Sequence, residues 1–228
     1  QAANSQSDGS YFLNSLKEGS YKIVFNPANC YAGNFLFREY NSGEPVPVAD
    51  GQTTSGIDAV MYPAGAIIGR LSDQDDDGLM SGSVQAFSAS TGNMWAATID
   101  YMGNYTIRNL PPDNYRIRFA YTFGSITNYP PKWYSNANSG TEAAILTVVA
   151  GGTVNGINGV LGADGGGISG RVTNTVGGGI AGISVLAEDG SFGEFATSQA
   201  LTDAFGYYTV QNVPTGTARV VFQPGYRP

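Results

Sequence analysis

The sequence predicts an all-β protein built from tandem repeats, and three observations carry that expectation. The first is repetition. Residues 103–119, Gly-Asn-Tyr-Thr-Ile-Arg-Asn-Leu-Pro-Pro-Asp-Asn-Tyr-Arg-Ile-Arg-Phe, match residues 9–25 at an offset of 94 (Tyr105 against Tyr11) and residues 206–222 at 103 (Phe222 against Phe119). An internal period of about 100 residues marks units of small-domain size and outranks any local signal. The second is composition: 32 glycines and 14 tyrosines beside 13% charged residues suit short strands and tight turns, with too little Glu, Lys and Leu for long helices. The third is alternation. Tyr115, Ile117 and Phe119 take inward places between Arg116 and Arg118, the pattern of a strand with one face on a core.

Taken in order, residues 1–7 are polar and aperiodic and read as a tail. Tyr21, Ile23 and Phe25 repeat the inward phase, and Val220 and Phe222 hold it in the third copy. Between the two strands of each copy stand Lys17-Glu18-Gly19, Pro111-Pro112-Asp113 and Pro214-Thr215-Gly216. These are turn chemistries, because proline presets φ and glycine accepts positive φ. A second block, Val48–Asp58 through Gly69-Arg70-Leu71, matches Val149–Asn158 through Gly170-Arg171-Val172 at an expected offset of 101. The glycine-containing stretches Met61–Gly65 and Gly162–Gly167 then become hinges between units. The expected division is residues 1–64 as the C-terminal part of a first repeat, 65–161 as a complete middle sandwich, and 162–228 as the N-terminal part of a third. One complete and two partial repeats would leave strand edges open and adhesive.

The third copy also carries a family resemblance. Gly167-Ile168-Ser169-Gly170-Arg171-Val172-Thr173, then Ile180–Val185, then Thr202-Asp203-Ala204-Phe205-Gly206-Tyr207-Tyr208-Thr209-Val210-Gln211-Asn212-Val213-Pro214 resembles the carboxypeptidase regulatory-like domain. The likeness extends over most of residues 65–161, where Tyr129-Pro130-Pro131-Lys132-Trp133-Tyr134 is similar to an aromatic segment of bacterial tandem copies. The resemblance implies an Ig-like, transthyretin-like sandwich of about seven strands. It further implies a non-catalytic module of secreted or surface proteins, related in fold to some sugar-binding domains.

Composition narrows the partners. A net charge of −7 with 11 Lys and Arg disfavours nucleic acid and anionic membranes, which need clustered cations. No apolar run is long enough to insert in a membrane as a helix. The absence of histidine removes the usual general base near neutral pH and every triad that uses it, so no enzyme is expected. Glu188, Asp189 and Glu194 read as solvated loop acids, and the single Cys30 as a small buried hydrophobe or an intermolecular disulfide.

Two groups of residues invite a site. Asp73, Asp75 and Asp77, followed by Gly78, open like a calcium-binding loop, in which crowded carboxylates repel unless a cation sits among them. Val84 stands where that loop needs its bidentate Glu, so a solvated turn is the competing reading. Calcium is accordingly the one cofactor considered. Trp133, Tyr134, Tyr129 and Trp95 offer faces on which a polysaccharide could stack, or else cover the sandwich and pack on a neighbouring repeat. Repeat one carries Phe37-Arg38-Glu39-Tyr40 at the matching offset of 94, without the Trp, which favours packing. The expected function is a non-catalytic structural module of an extracellular surface protein or filament, touching neighbouring repeats or identical subunits end to end. A carbohydrate-binding accessory module is the alternative.

Overall fold

A computed structural model describes residues 1–27, 33–121, 129–162, 165–188 and 196–224 of the 228-residue chain. Cys30, Asp189 and Glu194 lie outside the described residues. The protein is all-β: the only helical element among the described residues is a 3₁₀ turn, Tyr40–Gly43. The chain divides into two compact units, Gln1–Pro63 and Ala64–Pro228.

Among its described residues the first unit holds four short strands, β1 (Gly19–Tyr21), β2 (Val24–Phe25), β3 (Arg38–Glu39) and β4 (Val46–Val48). β1 pairs antiparallel with β4 and β2 with β3. Residues 10–16, which align with a strand of the middle repeat, and residues 53–61 are outside any strand here.

In the second unit the middle repeat is a two-sheet sandwich. It contains β5 (Gly65–Asp73), β6 (Gly82–Ser88), β7 (Met94–Thr98), β8 (Asn104–Leu110), β9 (Asp113–Tyr121), β10 (Lys132–Trp133), β11 (Leu146–Val148), β12 (Thr153–Val154) and β13 (Gly159–Leu161). One sheet runs β10-β9-β6-β7 with β11 also on β9. The other is organised on β5, with β8 antiparallel to it and β12 and β13 parallel to it. Between the sheets lie Ile67, Leu71, Val84, Ile107, Ile117, Phe119, Val148 and Leu161, each essentially removed from water. At about 25 cal/mol per Å² of apolar surface, such burial supplies most of the drive to fold.

Among the described residues the third repeat uses the same plan with fewer strands: β14 (Gly166–Arg171), β15 (Ile183–Glu188), β16 (Ala196–Leu201), β17 (Tyr207–Val213) and β18 (Arg219–Pro224). β14 pairs with β17 as β5 does with β8, and β15 pairs with β16 and β18 as β6 does with β7 and β9.

Four expectations change. Glu188, read as a solvated loop acid, ends β15 and is only 4% exposed, because Arg219 on the neighbouring strand takes its carboxylate. The ladders set the offset of the second shared block at 100 up to residue 58, since Gly19 faces Val48 where Asp113 faces Val148. It becomes 101 only at β5, where Leu71 N bonds Gly103 O as Val172 N bonds Gly206 O. Arg118 points away from the core but is only 7% exposed, because the segment carrying Trp133 and Ala143 covers that outer face. Phe222 keeps the phase of Phe119 yet is 52% exposed against 1%, because no described strand covers it.

Candidate functional site

The outer face of the β10-β9-β6-β7 sheet shows what the aromatic segment does. Each repeat places a cation at the position of Arg116 on β9, namely Lys22, Arg116 and Arg219. In repeat one Lys22 Nζ lies 2.7 Å from Glu39, which holds the ladder place of Trp133. In repeat three Arg219 donates from Nε at 3.0 Å and Nη2 at 2.6 Å to Glu188, which holds the place of Phe87. In repeat two both places are aromatic. Phe87 and Trp133 meet with ring centroids 5.3 Å apart, and both are buried beside Ala143.

The four aromatics named from sequence do not form one platform. Trp95 faces the core side, opposite Ala86 in the ladder, with its ring edge-on to Tyr115 at 5.8 Å. Tyr134 is fixed by its backbone N–H on Ile117 O at 2.8 Å, and Tyr129 stands edge-on to Tyr121 at 5.4 Å. Trp133 is on the opposite face and 2% exposed. Beside it opens a polar cleft of about 490 Å³ whose walls include Gln74, Lys132, Asn136, Asn158 and Val160. Lys132, itself buried, donates to Asn138 Oδ1 at 2.8 Å.

The acidic loop is a turn organised by one carboxylate. Asp73 Oδ1 accepts the N–H groups of Asp75 at 3.0 Å and Asp77 at 2.9 Å, and Asp73 N donates to Asp77 O at 2.9 Å. Its carboxylate also takes the Tyr129 hydroxyl, whose pKa is raised by burial and by that negative charge. Arg70 reaches across to the Asp76 carboxylate and to Asp76 O at 2.6 Å. Asp73 is thus brought to Tyr129, whereas Asp75 and Asp77 are held by their backbone. Among the described residues no three carboxylate, imidazole or thiol groups gather as a metal cage.

Sequence reasoning passed over a tyrosine tie. Tyr105 on β8 sends its hydroxyl across β5 to Ile157 O, and burial raises its pKa. The side chain passes because residue 69 is glycine, where a Cβ would collide with that same carbonyl. Repeat one makes the same bond, Tyr11 Oη to Ile57 O at 2.5 Å. In every repeat the tyrosine also stands edge-on to a phenylalanine: Tyr11 on Phe25, Tyr105 on Phe119 and Tyr208 on Phe222, at 5.7, 6.3 and 5.9 Å. The signal was present in the offsets of these residues but nothing local distinguished them from ordinary core.

No protein-family model and no curated protein matches the chain, so the carboxypeptidase regulatory-like likeness remains a resemblance. Among solved structures the chain is similar to the Bacillus anthracis TIE protein, at 10% identity and TM-score 0.33, over 72% of this chain and 32% of that one. It is similar to a candidate carbohydrate-binding protein from Bacteroides uniformis at 13% and 0.31, over 65% and 79%. It is also similar to the Streptococcal ancillary pilin at 14% and 0.31, over 92% and 67%. The chain spans about a third of the length of the Bacillus anthracis protein. At these scores the function rests on the chain's own geometry.

Proposed function

We propose that this chain is a non-catalytic structural repeat module of an extracellular surface protein or filament, joined end to end to neighbouring repeats or to identical subunits. The observation that supports this reading is the exchange on the outer face. The place filled by Phe87 and Trp133 in one repeat is served by the ion pairs Lys22–Glu39 and Arg219–Glu188 in the others. What persists is cover for a sheet, and the chemistry that provides it is interchangeable. A ligand platform would instead need its aromatic faces open to solvent.

The polar cleft beside Lys132 and Asn158 favours a second reading, carbohydrate binding. Titration of the chain with a panel of polysaccharides, followed by tryptophan fluorescence, separates the two. The structural reading expects no saturable change, and a Trp133→Ala variant that loses stability. Saturable binding abolished by Asn158→Ala in a variant of unchanged melting temperature would establish the carbohydrate module instead.

A further inference from the structure

The middle repeat shows what a finished β5 strand looks like. On its second edge it receives Thr153–Leu161 in parallel: Ala66 N donates to Gly152 O at 2.9 Å, Ile157 N to Ile68 O at 3.1 Å, and Arg70 N to Asn158 Oδ1 at 2.9 Å. Gly159 from that segment lies against the Phe119 ring, and Tyr105 caps the Ile157 carbonyl.

In the third repeat no described residue pairs with the same edge. Among the described residues β14 pairs with β17 alone, its residues Gly167, Ser169 and Arg171 are exposed, and Phe222 is half uncovered. Among the described residues the Tyr208 hydroxyl has no hydrogen-bond partner. It lies 2.8 Å from where a Cβ on Gly170 would be, as the Tyr105 hydroxyl lies 2.9 Å from that point on Gly69. Acceptor strand, glycine gap and capping hydroxyl are therefore all in place for an incoming carbonyl.

The first unit holds the matching piece. Residues 53–61, Thr-Thr-Ser-Gly-Ile-Asp-Ala-Val-Met, align with Thr153–Leu161 and keep the Gly-Ile core with Asp58 at the place of Asn158. They form no strand and are largely exposed. Resting on the structural reading above, we infer that residues 53–61 of a second copy of this chain add in parallel to the free edge of β14. In that register Ile57 N meets Ser169 O, the Arg171 N–H meets the Asp58 carboxylate, and Tyr208 donates to the Ile57 carbonyl. Ala59 comes over Phe222, and because a Cβ at the matching Gly159 would lie 2.6 Å from the Phe119 ring, the half-exposed Phe222 ring has to shift to admit it. Backbone pairing supplies the affinity and the alternating Ile57, Ala59 and Met61 the specificity. The donor and acceptor surfaces differ, so the contact is heterologous and, unless it closes, builds a fibre.

Tyr11 competes with this arrangement, since its own hydroxyl holds the Ile57 carbonyl within the first unit. Sedimentation of the 228-residue chain across concentration, with hydrogen exchange of β14, tests the inference. The expected result is concentration-dependent association with slowed exchange at the Gly167 and Arg171 amides. Ser169→Pro, which removes an N–H from the open edge and spares the β17 side, weakens association at least about tenfold. Tyr208→Phe weakens it about fivefold, the worth of one hydrogen bond, and Tyr11→Phe strengthens it by freeing the carbonyl. Circular dichroism melts of the variants confirm that the fold is kept. A chain that stays monomeric at all concentrations overturns the inference. So does association that Ser169→Pro and Tyr208→Phe leave unchanged, an outcome that leaves the structural reading standing.

Discussion

Repeats two and three share a plan and differ in how much of it is covered, and the difference separates what a turn contributes from what a sheet contributes. The turns are the same in both. Asp100 Oδ1 accepts the N–H groups of Met102 and Asn104, as Asp203 Oδ1 accepts those of Phe205 and Tyr207. Arg70 Nε donates to Met102 O at 2.9 Å and Arg171 Nε to Phe205 O at 2.9 Å. Asn109 and Asn212 take left-handed conformations at φ 59° and 57°. The cores are not the same: Ile107 and Val210 are both sealed, but Phe119 and Phe222 stand at opposite extremes of exposure. Local geometry is therefore complete without the covering strands, whereas burial is not.

The largest effect that would break this comparison is at the phenylalanines. Phe119→Ala removes a fully buried ring and is expected to cost about 3–5 kcal/mol, while Phe222→Ala costs less than about 1 kcal/mol. Urea unfolding followed by tryptophan fluorescence reports on repeat two, because Trp95 and Trp133 both lie there. Amide exchange in β17 reports on repeat three. Equal losses at the two sites would show that Phe222 is covered in solution, which is the state the strand-addition contact creates.

The glycines of the shared turn should behave alike in both repeats. Gly103 and Gly206 sit at φ 87° and 84°, and a Cβ on either would collide with the carbonyl of Leu71 or Val172. Alanine at each is expected to cost at least about 2 kcal/mol, since it adds a clash to the left-handed strain. Gly177, at φ 84° with open space around it, is the control and should cost about 1 kcal/mol. Thermal melts of the three variants check the order. A Gly206→Ala chain as stable as the parent would mean that the third repeat does not hold this turn in solution.

Much of this was legible in advance. The repeat offsets, the strand phase and the all-β class follow from side-chain alternation and turn residues, which act over a few positions. The inward places of Ile107, Ile117, Phe119 and Val148 were readable for that reason. The exchange of Phe87 and Trp133 for ion pairs was not, because it joins residues of β6 and β10 that only the ladder brings opposite Arg116 and Arg118. The same holds for the tyrosine tie. It spans Tyr105 to Ile157 across an intervening strand, and its visible mark is a glycine at position 69 that also suits an ordinary strand.

A third difference between the repeats gives a pH dependence. Asp113 accepts hydrogen bonds from the Ser88 and Ser90 hydroxyls, and its pKa is lowered to about 2, Ser88 being the largest cause. Repeat three has Gly216 at that place. A depressed folded-state pKa means stabilisation that is complete above the ordinary value of 3.8 and is lost as pH falls toward 2. The melting temperature of repeat two should fall through that window, and Asp113→Asn should flatten this part of the profile. A profile that keeps its slope in the variant would assign the acid sensitivity to other carboxylates.

The smallest expected effect is the one that decides the acidic loop. Asn174 stands where Asp73 does, and its Oδ1 accepts the N–H groups of Val176 at 3.1 Å and Gly178 at 2.8 Å, while Asn174 N donates to Gly178 O at 2.8 Å. An amide thus builds the same turn that the carboxylate builds, with glycines where Asp76 and Asp77 stand. In repeat two the added negative charge is met by Arg70 on Asp76, so the turn has its cation already. Asp73→Asn should then change stability by no more than about 0.5 kcal/mol, because both backbone bonds survive and the new amide N–H can donate to the Tyr129 hydroxyl that the carboxylate accepted from. Millimolar calcium should leave the melting temperature of the full chain where it was, since a native-state ligand would raise it by mass action. A calcium-dependent rise that Asp75→Asn abolishes would give Asp73, Asp75 and Asp77 the role of ligands and reduce Arg70 to their neighbour.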